Sequence, residues 1–149
     1  MADRETILAA LFTALQTIPT STSDEITFER NRVSSIEEMN LPAIIMWDGD
    51  EESQSPGGRA LNRGAPIQSK MQPEIWAFVR EQNGQNIGTT INAMLVRIKA
   101  AVFGNAALKA AIGDSGTTVL SITTGLGRGK TKAGDVSMTL AITYLDDPT

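Results

Sequence analysis

The sequence predicts an α+β domain, with a mainly antiparallel sheet of about five strands, two main helices and one short helix packed on it. Two stretches, from Ile7 to Ile18 and from Ile87 to Val102, carry apolar residues at helical spacing. Five others are rich in β-branched or alternating apolar residues. Their order along the chain is helix, three strands, helix, short helix, two strands, joined by short or irregular connections that suit antiparallel neighbours.

The first helix places Ile7, Leu8, Leu11, Phe12, Leu15 and Ile18 on one face, with Asp3 as its N-cap and Pro19 beyond its end. A polar linker follows from Thr20 to Asp24. The first strand is read over 26–33, around Ile26 and Phe28. The second runs from Leu41 to Trp47 and is expected to stop at an Asp48-Gly49-Asp50 turn. Residues 51–69, rich in Gly, Pro, Ser, Asn and Arg, are expected to form a long exposed loop. Loops longer than ~12–15 residues in a compact domain are usually functional or disordered.

The third strand is read over 70–80. Trp76 and Phe78 point one way and Ile75, Ala77 and Val79 the other. An Asn83-Gly84 turn leads into the helical stripe Ile87, Ile91, Met94, Leu95, Ile98 and Val102, which ends before Gly104. Asn105 caps a short helix that Gly113 closes. A β-branched strand over 117–124 and an alternating strand over 136–144, with Val136, Met138, Leu140, Ile142 and Tyr144 on one face, complete the sheet. No repeat or composition break divides residues 1–149, so a single domain is expected.

Composition excludes much chemistry. Zero cysteine removes disulfides, thiolate nucleophiles and Cys-based metal sites, and fits a reducing compartment. Zero histidine removes Ser-His-Asp and Cys-His arrangements and the imidazole metal ligands. A net charge of -4 speaks against a nucleic-acid footprint over the whole surface. No apolar run reaches the ~18 residues of a membrane span, and the start lacks a secretory pattern, so a soluble, non-exported chain without membrane contact is expected.

Three features of the sequence bear on chemistry. Gly125 to Thr131 ends like a phosphate-binding loop, but Thr124 stands where G-x-x-x-x-G-K-[ST] needs its first glycine, and a strand follows instead of a helix. Asp48, Asp50, Glu51 and Glu52 form an acidic knot that fails the EF-hand pattern, with Glu52 and Ser53 at the positions of the third ligand and the glycine. No metal, cofactor or catalytic residue is therefore assigned. The basic hairpin loop at 125–134 carries Arg128, Lys130 and Lys132 at alternate positions. It is either a solvated loop or an arm that meets an acidic neighbouring subunit or nucleic acid.

The second and third strands are apolar on both faces, whereas an antiparallel sheet with one solvated face alternates. Either another helix of the chain or another subunit covers the second face.

The opening helix Arg4-Glu5-Thr6-Ile7-Leu8-Ala9-Ala10-Leu11, the strand Leu41-Pro42-Ala43-Ile44-Ile45, the helix from Ile87 to Val102 and the final Ala141-Ile142-Thr143-Tyr144 resemble the tail terminator or tail completion proteins of long-tailed bacteriophages. The resemblance spans nearly the whole chain. It implies a structural virion protein, not an enzyme, that forms a homohexameric ring at the head-proximal end of the tail. Such a ring caps the tail tube, ends its polymerisation and meets the head-tail connector, with DNA passing through it. The chain would be made in the host cytoplasm. Arg59, Arg63, Arg128, Lys130, Lys132, Asp48, Asp50, Glu51 and Glu52 are the candidate assembly contacts, chosen on charge and loop position. A head-completion or connector subunit is the alternative, and a small ligand-binding domain a further one.

Overall fold

The structure of the protein, a computed structural model, describes residues 3–18, 26–32, 42–53, 67–80, 87–112, 117–126 and 133–146. Its elements follow the expected order: α1 (Arg4–Leu15), β1 (Thr27–Arg30), β2 (Ala43–Ser53), β3 (Ile67–Arg80), α2 (Ile87–Phe103), α3 (Ala106–Ile112), β4 (Thr117–Leu126) and β5 (Ala133–Asp146). The strands form one sheet in the order β1-β2-β3-β5-β4. All neighbours are antiparallel except β1 and β2, which run parallel with Phe28 beside Ile44 and Arg30 beside Met46. A parallel pair cannot be closed by a hairpin, so the chain must cross over between Arg30 and Ala43.

Alternation along the strands sends one set of side chains under the helices. Ile44 and Met46 of β2, Met71, Ile75, Ala77 and Val79 of β3, and Val136, Met138, Leu140, Ile142 and Tyr144 of β5 join a single buried cluster with residues of α1, α2 and α3. α1 contributes Ile7, Leu8, Leu11, Ala14 and Leu15; α2 contributes Ile91, Met94, Ile98 and Val102; α3 contributes Leu108 and Ile112. These spacings are the i, i+3, i+4, i+7 pattern that places one stripe of a helix against a sheet. α2 and α3 meet at a 55° bend. Gly104 sits at that junction, where an added Cβ would lie 2.6 Å from the Ala100 carbonyl oxygen.

The starts of α1 and α3 are capped as the sequence implies. The Thr6 N–H donates to the Asp3 carboxylate at 2.8 Å, and the Leu108 N–H donates to the Asn105 side-chain oxygen at 2.9 Å. No single helix among the described residues is long and apolar enough to cross a membrane.

Four of the strands are longer than the sequence suggests, whereas β1, expected over 26–33, is strand only over Thr27–Arg30. The expected Asp48-Gly49-Asp50 turn is instead a bulge inside β2. Register changes between the Trp47–Glu74 and Asp50–Gln72 pairs, and the strand resumes to Ser53. Gly49 holds φ at +72°, and a Cβ there would stand 2.0 Å from the Gln72 carbonyl oxygen, so only glycine fits. Likewise the expected loop at 51–69 begins and ends as strand, at 51–53 and 67–69. Its middle, 54–66, lies outside the described residues, and Arg59 and Arg63 with it. The loop expected at 125–134 is trimmed in the same way. Gly125 and Leu126 pair with Asp135 and Gly134, leaving Arg128, Lys130 and Lys132 outside the described residues.

Candidate assembly surface

The acidic stretch of β2 divides between the two faces of the sheet. On the helix side, Arg30 of β1 lies between two carboxylates. Its Nε and Nη2 donate to Asp48 at 2.9 and 3.1 Å, and its Nη1 and Nη2 donate to Glu5 of α1 at 2.9 and 3.0 Å. The planar guanidinium can serve both because its donors form a fixed fork. Asn31, one residue on, has φ at +53°, and its side-chain oxygen accepts from the Asp48 N–H at 3.0 Å. Asn tolerates this left-handed conformation better than most residues.

Around the bulge, Arg4 Nη2 donates to the Gly49 carbonyl at 2.9 Å and Arg4 Nε stands 3.6 Å from Glu51. The Tyr144 hydroxyl, at the far side of the sheet's core face, also donates to Glu51. These contacts fasten the start of α1 to the bulged strand.

The charges shift one another. Burial pushes the Asp48 carboxyl up, but hydrogen bonds from Arg30 and Asn31 outweigh it and hold the group below its ordinary 3.8. The hydrogen bond from Arg30 holds Glu5 below its ordinary 4.5, and the Thr6 N–H at the helix start lowers Asp3. In return Glu5 and Asp48 raise the Arg30 guanidinium above its usual range. Asp48 and Glu51, two of the residues chosen from sequence as assembly contacts, therefore have partners within their own chain. Asp50 and Glu52 are exposed.

The opposite face of the sheet has a different character. In register, Ala43 lies beside Phe78, Ile45 beside Trp76 and Trp47 beside Glu74. Ala43 and Ile45 are fully buried although their side chains point away from the cluster shared with the helices. Trp76 stacks on Phe78, with centroids 6.0 Å apart and planes 19° apart, and meets Trp47 edge-on at 6.1 Å and 82°. All three rings are half-buried. Among the described residues no helix packs on this side.

Carboxylates rim the rings. Glu74 is exposed beside Trp47, Asp135 lies opposite Phe78, and Asp50 and Glu52 follow along β2 opposite Gln72 and Lys70. Glu29, beside Ile45, forms an ion pair with Arg32. Among the described side chains of this face, five carboxylates (Glu29, Asp50, Glu52, Glu74, Asp135) outnumber two cations (Lys70, Arg32).

The described residues contain no cluster of three or more His, Cys, Asp or Glu side chains arranged to hold a metal ion. Sequence reasoning identified the two-faced strands and the acidic stretch. It missed Arg4, Glu5, Arg30 and Tyr144 as partners of that stretch, because pairing between α1, β1, β2 and β5 depends on topology that no local motif carries.

No family model and no curated protein matches the chain. Among solved structures, the fold is similar to the sheath/tube terminator of an extracellular contractile injection system, PVC, determined by cryo-EM in its extended state. The likeness covers 97% of this chain and 57% of that one, with a TM-score of 0.50 and 14% sequence identity. This chain thus spans little more than half the length of that terminator, and at this identity the likeness is one of fold.

Proposed function

We propose that the protein is a terminator-type structural subunit of a phage tail or tail-like particle, which caps the tube, ends its polymerisation and forms the surface for the next component. The observation that carries this reading is the fold likeness over 97% of the chain to a protein described as a sheath/tube terminator. It coincides with the resemblance of the helix and strand segments to tail terminators. The molecule's own surface supports it: a second, aromatic sheet face with a carboxylate rim suits contact between proteins, where aromatic residues are enriched.

In this reading the protein works by binding and geometry, as a hexameric ring at the head-proximal end of the tail. It contacts the tube protein on one side and the head-tail connector on the other, with DNA passing through its centre. No reaction is needed. A connector subunit would bind portal or capsid vertices instead of tube.

Negative-stain imaging of purified tube protein polymerised with and without this protein tests the proposal. The expected result is rings on one end of each tube and shorter tubes as the protein is added. Unchanged tube lengths with bare ends would refute the terminator role.

A further inference from the structure

The two broad surfaces of the molecule differ in charge. Residues 87–112, which form α2 and α3, contain none of the chain's 17 acidic residues, and Arg97, Lys99 and Lys109 are their only charges. Lys99 and Lys109 are exposed, on the side of the helices turned away from the core. Around them lie Ala93, Val96 and Ala100 of α2 and Ala106, Ala107 and Ala110 of α3, all exposed, with Val96 at 65%. A helix face that meets only water is ordinarily polar or charged. In this acidic protein it is mostly apolar, and its exposed charges are lysines.

The outer sheet face is its counterpart. Trp47, Trp76 and Phe78 lie half-buried there, and Glu74, Asp50 and Glu52 beside them are exposed. Alanines around a single valine make a shallow surface that flat rings can approach closely. Lysines are drawn both to carboxylates and to the faces of Trp rings.

Topology decides whether one chain can join the two. α2 and α3 pack on the core side of the sheet through Ile91, Met94, Ile98, Val102, Leu108 and Ile112, and the rings lie on the other side. The sheet and the body of the helices separate the two surfaces, so any contact between them is a contact between copies.

Their spacings agree. Val96 and Lys99 are i, i+3 neighbours, with Cβ atoms about 5–6 Å apart. Trp47 and Glu74 pair directly across β2 and β3, which sets their Cβ atoms about 4.5–5.5 Å apart. Val96 seated on the Trp47 ring therefore brings Lys99 over Glu74. Lys109 stands at most ~15 Å beyond Lys99 at ~1.5 Å per helical residue. Glu52, opposite Lys70, lies about 14 Å from the Glu74 position at ~3.4 Å per strand residue.

We infer that the outward face of α2 and α3 of one copy docks on the outer sheet face of a second copy, Val96 against Trp47 and Trp76, Lys99 against Glu74, and Lys109 against Asp50 and Glu52. The contact joins two different surfaces on opposite sides of the molecule, so it repeats head to tail and closes a ring when the rotation per subunit allows. It rests on the assembly reading and supplies the subunit boundary for it.

Light scattering of the full-length chain over a range of protein and salt concentrations tests the contact. The wild type is expected to form oligomers that weaken as salt rises. K99E/K109E and D50K/E74K should each weaken association at least ~10-fold, since like charges then meet. An equal mixture of the two variants should associate again, because in alternating copies reversed face meets reversed face and native meets native. V96S should weaken association roughly 5-fold. Circular dichroism reports folding, and where a reversal disturbs it, K99Q/K109Q or D50N/E74Q takes its place with a smaller expected loss.

A wild type that stays monomeric, single reversals that associate like wild type, or a mixture that stays apart would each overturn the contact. Tube-end capping is scored separately. A monomer whose capping is lost in D50K/E74K would assign the outer face to the tube protein and overturn the contact too. Capping with association untouched by the reversals removes this contact and leaves the terminator reading. Oligomers that obey the charge swap but ignore tubes do the opposite.

Discussion

Gly49 and Arg30 show how much of this molecule depends on single side chains. Replacing Gly49 with Ala forces a Cβ to within 2.0 Å of the Gln72 carbonyl oxygen at a positive φ. Neither backbone can yield without giving up the bulge, so G49A should cost about 3 kcal/mol in urea-unfolding experiments. Arg30→Met keeps the apolar stem but strands the carboxylate of Asp48, whose side chain is only 22% exposed. A loss of about 1–3 kcal/mol is expected.

The carboxylates that Arg30 holds also set a pH dependence. Asp48 and Glu5 titrate lower folded than unfolded, so the unfolded chain takes up protons first as pH falls. Their contribution is complete above the ordinary carboxylate range and disappears as pH drops through the folded values. The urea midpoint should stay level from about pH 8 to 6 and decline below about pH 5. In the Arg30→Met variant that decline should be shallower, and an identical slope would show that Arg30 does not govern it.

Among the elements, those with strong periodicity were legible and those defined by partners were not. The stripe from Ile87 to Val102 and the alternation from Val136 to Tyr144 each declare their buried face, and α2 and β5 are where they predict. The caps were legible too, because Asp and Asn before a helix act on backbone N–H groups a few residues away. Asn105→Ala should cost about 1 kcal/mol and loosen α3 first, as read by amide exchange there. β1 was harder. Its four residues pair parallel to β2, a choice set by the crossover and not by local sequence. The Asp-Gly pair in β2 misled because it serves a turn or a bulge equally well. Only the strand opposite, with Gln72 and Pro73 closing on Gly49, decides between them.

At the scale of the whole molecule, the core is one layer of helices on one side of a sheet. Ile98 sits in the middle of α2 and is 1% exposed. Ile98→Ala should lower stability by about 2–5 kcal/mol, measured as a shift of the urea midpoint at unchanged slope. The other side of the sheet carries the question of function. Its apolar character was readable in the paired runs Ala43 to Trp47 and Ile75 to Val79. Its carboxylate rim was not, because Glu74, Asp50 and Asp135 become neighbours of the rings only through the register of three strands. Of the charged residues singled out from sequence, the structure keeps Asp48 and Glu51 for internal bracing and leaves Asp50 and Glu52 facing outward.

That division follows from one extra residue. Upstream of the bulge, even-numbered positions of β2 point to the helices, as Ile44 and Met46 do; downstream, odd-numbered Glu51 does, beside Met71 and under Arg4 and Tyr144. Had the alternation run through Gly49 unbroken, Asp50 and Glu52 would both turn inward toward the single guanidinium of Arg4, and Glu51 would turn out. The outer face would lose two negative charges and gain one with no change in composition. The electrostatic identity of this surface is thus written in hydrogen-bond register, and a one-residue insertion or deletion in β2 could re-polarise it more completely than any single substitution.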